Sequence, residues 1–155
     1  MSSDDYLILK RWKNPTPIGE WQPIQLTSAT TLPQQHVMGL HNIMIWQLTL
    51  AENLKSLIER ACQALPVTID DKQYAAIHVT QSIDCLDPDL SQFKQFKNRN
   101  IGVEHYVLRS TDIGNANLFT IPDDGYTALF ASETLRSRFI ESKWTGLSFL
   151  PVETS

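Results

Sequence analysis

The most regular pattern in the chain is helical. Leu50, Leu54, Leu57, Ile58, Ala61, Cys62 and Leu65 recur at three- and four-residue spacing, while Lys55, Glu59, Arg60 and Gln63 fill the other face. Thr49-Leu50-Ala51-Glu52 has the form of a capping box, and Pro66 is a stop signal. The spacing predicts a helix over residues 50–65, with Cys62 as a buried, inert thiol on its apolar face.

The other apolar runs are short and β-prone. Residues 6–9 predict a strand. Ile24 and Leu26 predict a short one inside a loop-like stretch rich in proline, threonine and glutamine that runs to about Met38. Residues 43–46 predict a strand or an extended lead into the helix. Val67 and Ile69, the turn Asp70-Asp71-Lys72 and residues 74–79 predict a hairpin. Asp84 and Asp87 are expected to cap a short helical turn beginning at Pro88. Residues 93–100 read as a basic, polar connection that holds Lys94, Lys97 and Arg99, anchored by Phe93 and Phe96. Residues 103–108 and 118–121 predict two more strands. Ser132, followed by Glu133, is a good helix N-cap. The helix it starts carries Leu135, Phe139 and Ile140 on one face and is closed by Thr145-Gly146. Leu147, Phe149 and Val152 predict a last strand.

This mixture predicts an α+β fold: a single domain over 1–155, with a mostly antiparallel sheet of short strands and two main helices. The length of 155 residues suits one domain. An apolar fraction of 42% supplies a core, and a charged fraction of 19% is too low for a disordered chain.

Chemistry is sparse. Cys62 and Cys85 form no CxxC pair, and the four histidines, His36, His41, His78 and His105, show no HExxH spacing. There is no GxSxG elbow, P-loop or GxGxxG turn. His78 and His105 would form a site only if they faced one another across a sheet. No catalytic, cofactor-binding or metal-binding residue is assigned, no cofactor is expected, and the chain reads as a non-enzyme. The formal charge of -4 argues against direct nucleic-acid binding and suits a basic protein partner. The first residues, Met-Ser-Ser-Asp-Asp, do not form a basic region leading into an apolar one. No apolar run approaches the roughly 20 residues of a membrane span. A cytoplasmic location is expected.

Three segments carry a family resemblance. They are the helix residues Leu54-Lys55-Ser56-Leu57-Ile58-Glu59, the run from Tyr74 through His78 and Asp84-Cys85-Leu86-Asp87 to Ser91, and a C-terminal module. In that module Leu118-Phe119 is followed by Ala128-Leu129-Phe130-Ala131-Ser132-Glu133-Thr134-Leu135 and ends in Thr145-Gly146-Leu147-Ser148-Phe149-Leu150-Pro151. Residues 48–153 thereby resemble immunity-protein family eleven of bacterial polymorphic toxin systems, with 1–47 a diverged N-terminal part. The resemblance implies a protein that binds a cognate toxin domain and occludes its active surface in the producing cell. It carries no catalytic residues.

Binding of that kind rests on a few aromatic anchors, with charges steering encounter. The candidate contact residues are Trp12 and Trp21, which flank a proline-rich stretch, and the acidic turn residues Asp70, Asp71, Asp123 and Asp124. Trp46 and Trp144 adjoin helices and read as core. The negative charge tilts the expected toxin toward a basic nuclease. Two other classes remain open: a small enzyme with a site assembled from His78, His105 and an aspartate, and a scaffold subunit of a larger complex.

Overall fold

The computed structural model describes residues 15–26, 35–40 and 43–155. The predicted strand over residues 6–9, Trp12 and His41 lie outside these. The main sheet uses β1 (Ile24–Leu26), β2 (Val37–Leu40), β3 (Ile43–Gln47), β4 (Cys62–Ile69) and β5 (Lys72–Val79), with α1 (Leu48–Ile58) between β3 and β4. The strand order is β1-β4-β5-β3-β2. Pairing is antiparallel except between β1 and β4. The central pair, β4 with β5, is the hairpin legible in the sequence. Asp70 and Asp71 form its two-residue turn with φ of 47° and 63°. Both residues are left-handed, the geometry whose twist suits a tight hairpin, and aspartate tolerates it better than most side chains.

Side chains of β5 from Tyr74 to Val79 are all buried, so the sheet is covered on both faces. On one face Trp46, Ala75, Ile77 and Val79 meet Leu50, Leu54 and Ile58 of α1. Leu50 and Leu54 are 0% exposed, and burying each contributes about 2 kcal/mol. The opposite face packs Ile45, Leu65, Val67, Ile69, Tyr74 and Ala76 under Ile18, Trp21 and Leu26.

The predicted helix over 50–65 is corrected at both ends. It stops at Ile58, and Cys62, Ala64, Leu65 and Pro66 belong to β4. Cys62 and Leu65 fit a helical face, but Leu65, Val67 and Ile69 also alternate. Eight register pairs with β5, from Cys62↔Val79 to Ile69↔Lys72, decide for the strand. Pro66 is tolerated because, among the described residues, no strand pairs with the outer side of β4 at the proline: β1 reaches only Val67–Ile69. The capping box does not form either. The N-cap is Gln47, without a side-chain cap bond; its amide Nε2 donates instead to Gln35 O at 3.2 Å. Residues 43–47 enter the helix directly from β3.

The C-terminal half is built from short pieces around a separate apolar cluster of Cys85, Leu86, Val103, Leu108, Phe119, Ile121 and Phe130. Its elements are β6 (Gln92–Phe96), β7 (Arg99–His105), β8 (Val107–Leu108), α2 (Ser110–Ile113), β9 (Leu118–Phe119), β10 (Phe130–Ala131), α3 (Glu133–Glu141) and β11 (Glu153–Thr154). Adjacent residues tie the halves together: Leu118 belongs to the α1 cluster and Phe119 to the C-terminal cluster. The architecture is α+β and mostly sheet, with three helices among the described residues.

Ser132 caps α3 as expected, its Oγ accepting from Leu135 N–H at 3.2 Å. Leu135 and Phe139 are buried, but Ile140 is 49% exposed, a correction to the predicted face. The last strand is Glu153–Thr154, parallel to β8, rather than residues 147–152. Leu147 and Phe149 serve instead as irregular backbone packed on the α1 cluster, with Phe149 edge-on to Phe139 at 5.6 Å. Thr145-Gly146 is fastened to the other end of the chain: Val37 N–H donates to Thr145 O at 3.0 Å, and Thr145 N–H to His36 Nδ1 at 3.2 Å.

Candidate partner-binding surfaces

The candidate residues are distributed over two regions. Trp21 packs against the Leu65-Val67-Ile69 face of the sheet, and its Nε1–H donates to Pro66 O at 2.9 Å. The Asp70-Asp71 turn follows Ile69 directly, and both aspartates are exposed. Asp70 N–H donates to Leu26 O at 3.2 Å, which ties the turn to the end of β1. Asp123 and Asp124 belong to the C-terminal cluster. Asp123 is exposed. Asp124 is engaged internally: its carboxylate accepts from Tyr106 Oη at 3.1 Å, Thr127 N at 3.0 Å and Ala128 N at 2.9 Å. Burial, and then the Asp124 charge, pushes the Tyr106 phenol up to about 12. Trp46 is 1% exposed and Trp144 half-buried on the same cluster, as core reading predicted.

His78 and His105 do not face one another. His78, on β5, is 3% exposed and its Nδ1 lies 3.2 Å from Gln63 Oε1. The same Gln63 amide exchanges a reciprocal pair with the Ile18 backbone, Ile18 N–H to Oε1 at 2.8 Å and Nε2–H to Ile18 O at 3.0 Å. Because Oε1 is thereby the acceptor, His78 Nδ1 carries a proton. This part-buried network latches the segment containing Ile18 and Trp21 to the edge of β4. His105 stands on β7, 3.4 Å from Glu153 Oε2. Among the described residues no group of three or more His, Cys, Asp or Glu side chains could hold a metal ion. No helix there is long and apolar enough to cross a membrane, which says nothing of a β-barrel.

Asp87 caps its turn as expected: Oδ1 accepts from Asp89 N and Leu90 N, both at 3.1 Å. Asp84 does something else. It faces Arg109, whose guanidinium donates to Asp112 Oδ2 at 2.5 Å, to Asp84 O at 3.1 Å and to Leu86 O. The bond to Asp112 holds the Arg109 proton more tightly than usual. Arg109 thus stitches residues 84–86 onto α2.

Burial pushes the thiols of Cys62 and Cys85 up to about 11. Both should therefore resist Ellman's reagent at pH 8 in the native protein and react together once guanidinium unfolds it. Fast stoichiometric labelling of the native protein would refute this.

Two surface features had no distinct sequence signal. One is a groove of about 640 Å³ beside α1, where Leu48, Lys55 and Glu59 face Ala64, Pro66 and Gln73 of the sheet. Its β4 side reads as helix in sequence. The other is the segment over 93–100, expected as a connection, which is a hairpin of β6 with β7. Lys97 and Asn98 make its turn with φ of 47° and 60°, and bulges interrupt the ladder after Gln92 and Lys94. Asn98 is the one turn signal in a strand pair that lacks alternation, because little of it is buried.

No curated protein matches the chain. The model of the Immunity protein family (Imm11) matches residues 68–154, from the end of β4 through β11. That span includes the Arg109 stitch, the Asp124 turn, the Ser132 cap and Gly146, features on which the C-terminal fold depends, and the chain belongs to this immunity protein family.

Proposed function

We propose that this protein neutralises one cognate bacterial toxin domain by binding it and covering its active surface in the cytoplasm of the producing cell. The family match over residues 68–154 carries the reading. Protection then comes from complementarity and slow dissociation rather than from catalysis. The net charge of -4 favours a toxin with a basic face, such as a nuclease, because opposite charge speeds encounter. Residues 1–155 act as one domain on this reading, since the Gln63–Ile18 latch and the Val37–Thr145 bond join early residues to the family-like part. Trp21, Asp70, Asp71 and Asp123 are the described sequence candidates with surface to offer, and Trp12 is a further aromatic candidate.

Co-expression with the C-terminal domain of the protein encoded next door tests the proposal. Growth rescue together with co-elution on a sizing column is the expected result. Rescue without a complex would point to an enzyme that reverses the damage. A toxic neighbour with neither rescue nor complex would overturn the reading for that neighbour.

A further inference from the structure

We infer that the β6–β7 hairpin is the arm with which this protein grips an acidic, partly apolar patch of the toxin domain; the inference rests on the immunity reading above. The base of the arm is fixed. Val103 is buried and Phe93 packs beside it in the C-terminal cluster. Beyond the base, residues 94–101 are all exposed. Lys94, Lys97 and Arg99 are the charged side chains within residues 92–103, so the outer part of the arm is cationic on a chain whose net charge is -4, with the exposed Glu104 near the base of β7. Among the described residues no carboxylate pairs with any of the three. Lys97 Nζ lies 5.4 Å from the Phe96 ring centroid.

Open strand edges offer one ordinary reason for such lysines. β6 and β7 form a two-stranded sheet of their own, and edge lysines discourage edge-to-edge aggregation. That role does not need Phe96 and Ile101, which stand 59% and 62% exposed on the same arm. Exposed apolar side chains beside cations, with Arg99 paired across the strands from Phe96 and Lys97 over its ring, have the mixed character of an interface centre with a charged rim. The complementary surface is apolar with carboxylates around it, a local patch apart from the basic face that the net charge of -4 favours elsewhere on the toxin. Two hairpins of this kind would repel one another, which disfavours a second copy as occupant. A nucleic acid would meet only three cations, on a chain whose net charge repels phosphate.

Two variants separate charge from packing. The triple variant K94E/K97E/R99E should bind the catalytically silenced toxin domain encoded next door at least ~10-fold more slowly in low salt, with its salt dependence flattened. The double variant F96S/I101S should associate at the parent rate and dissociate at least ~10-fold faster. Both should keep the parent's circular dichroism and melting temperature, since the substituted side chains are exposed. If the parent complex forms and both variants match its rate constants within about twofold, the arm is not the contact and the immunity reading survives. A parent that neither binds nor protects brings down both. A 20-base DNA that binds the parent and not the triple variant would reassign the arm to nucleic acid.

Discussion

Replacing Gly146 by alanine is expected to destabilise the protein on the order of 3–4 kcal/mol, which lowers the melting temperature by about 10 °C for a chain of this length. Gly146 has φ of +105°, and a Cβ built on it would lie 2.0 Å from Val37 O and 2.9 Å from Val37 C. Neither contact can relax through a flexible side chain, because both atoms are backbone. The carbonyl and amide groups in question also belong to β2 and its bond to Thr145. The new methyl must therefore push the C-terminal segment off the sheet or distort the strand. Gly114→Ala is the control. Its φ of 58° and ψ of -127° lie outside the left-handed helical well, but nothing lies within 4 Å of the added carbon, so only backbone strain of about 1–3 kcal/mol should register. Thermal unfolding of both variants decides the matter. Equal losses would mean that conformational freedom, not the close approach to Val37, is why a glycine stands at 146.

Asp124→Ala is expected to cost on the order of 2–3 kcal/mol, whereas Asp123→Ala should stay within about 0.5 kcal/mol of the parent. The two aspartates look alike in sequence. Asp124 alone holds the Tyr106 hydroxyl and two backbone N–H groups, and its loss leaves the part-buried Tyr106 hydroxyl and Ala128 N–H without this acceptor. The pH dependence follows from the phenol. The folded pKa of Tyr106 is about 12 against the usual 10, so the protonated phenol is favoured by folding. Its contribution is complete below pH 10 and is lost as pH rises through about 12. In Asp124→Asn the burial remains but the charge is gone. The tyrosinate absorbance of one residue should then titrate lower than in the parent while staying above the ordinary value. Chemical denaturation of the alanine pair, with this titration, checks both parts; an Asp123 variant as unstable as Asp124→Ala would refute the assignment.

Sequence reasoning succeeded where the deciding interaction is local. The Asp70-Asp71 hairpin, the Ser132 cap and the Asp87 turn each depend on residues within a few positions of one another. It failed at Cys62–Pro66, where helical spacing coincides with the period of a buried strand and only pairing with β5 decides. It also failed over 93–100, because an exposed hairpin has no buried face to impose alternation on its sequence. The candidate site was legible to a lesser degree. Asp123 and Asp124 differ only in what surrounds them, and Tyr106 lies 18 positions away from Asp124.

By itself, the sequence determined the fold class, the starts of its capped turns and the C-terminal motif that marks the family, since these are written in side-chain size, polarity and turn chemistry at short range. Tertiary structure alone decided the extent of α1, the latch of Ile18 onto Gln63, the fastening of Gly146 against Val37, and the projection of the β6–β7 arm. Each of the first three joins residues far apart in the chain. Its energy comes from contacts that exist only once the chain has closed, so no local pattern records it.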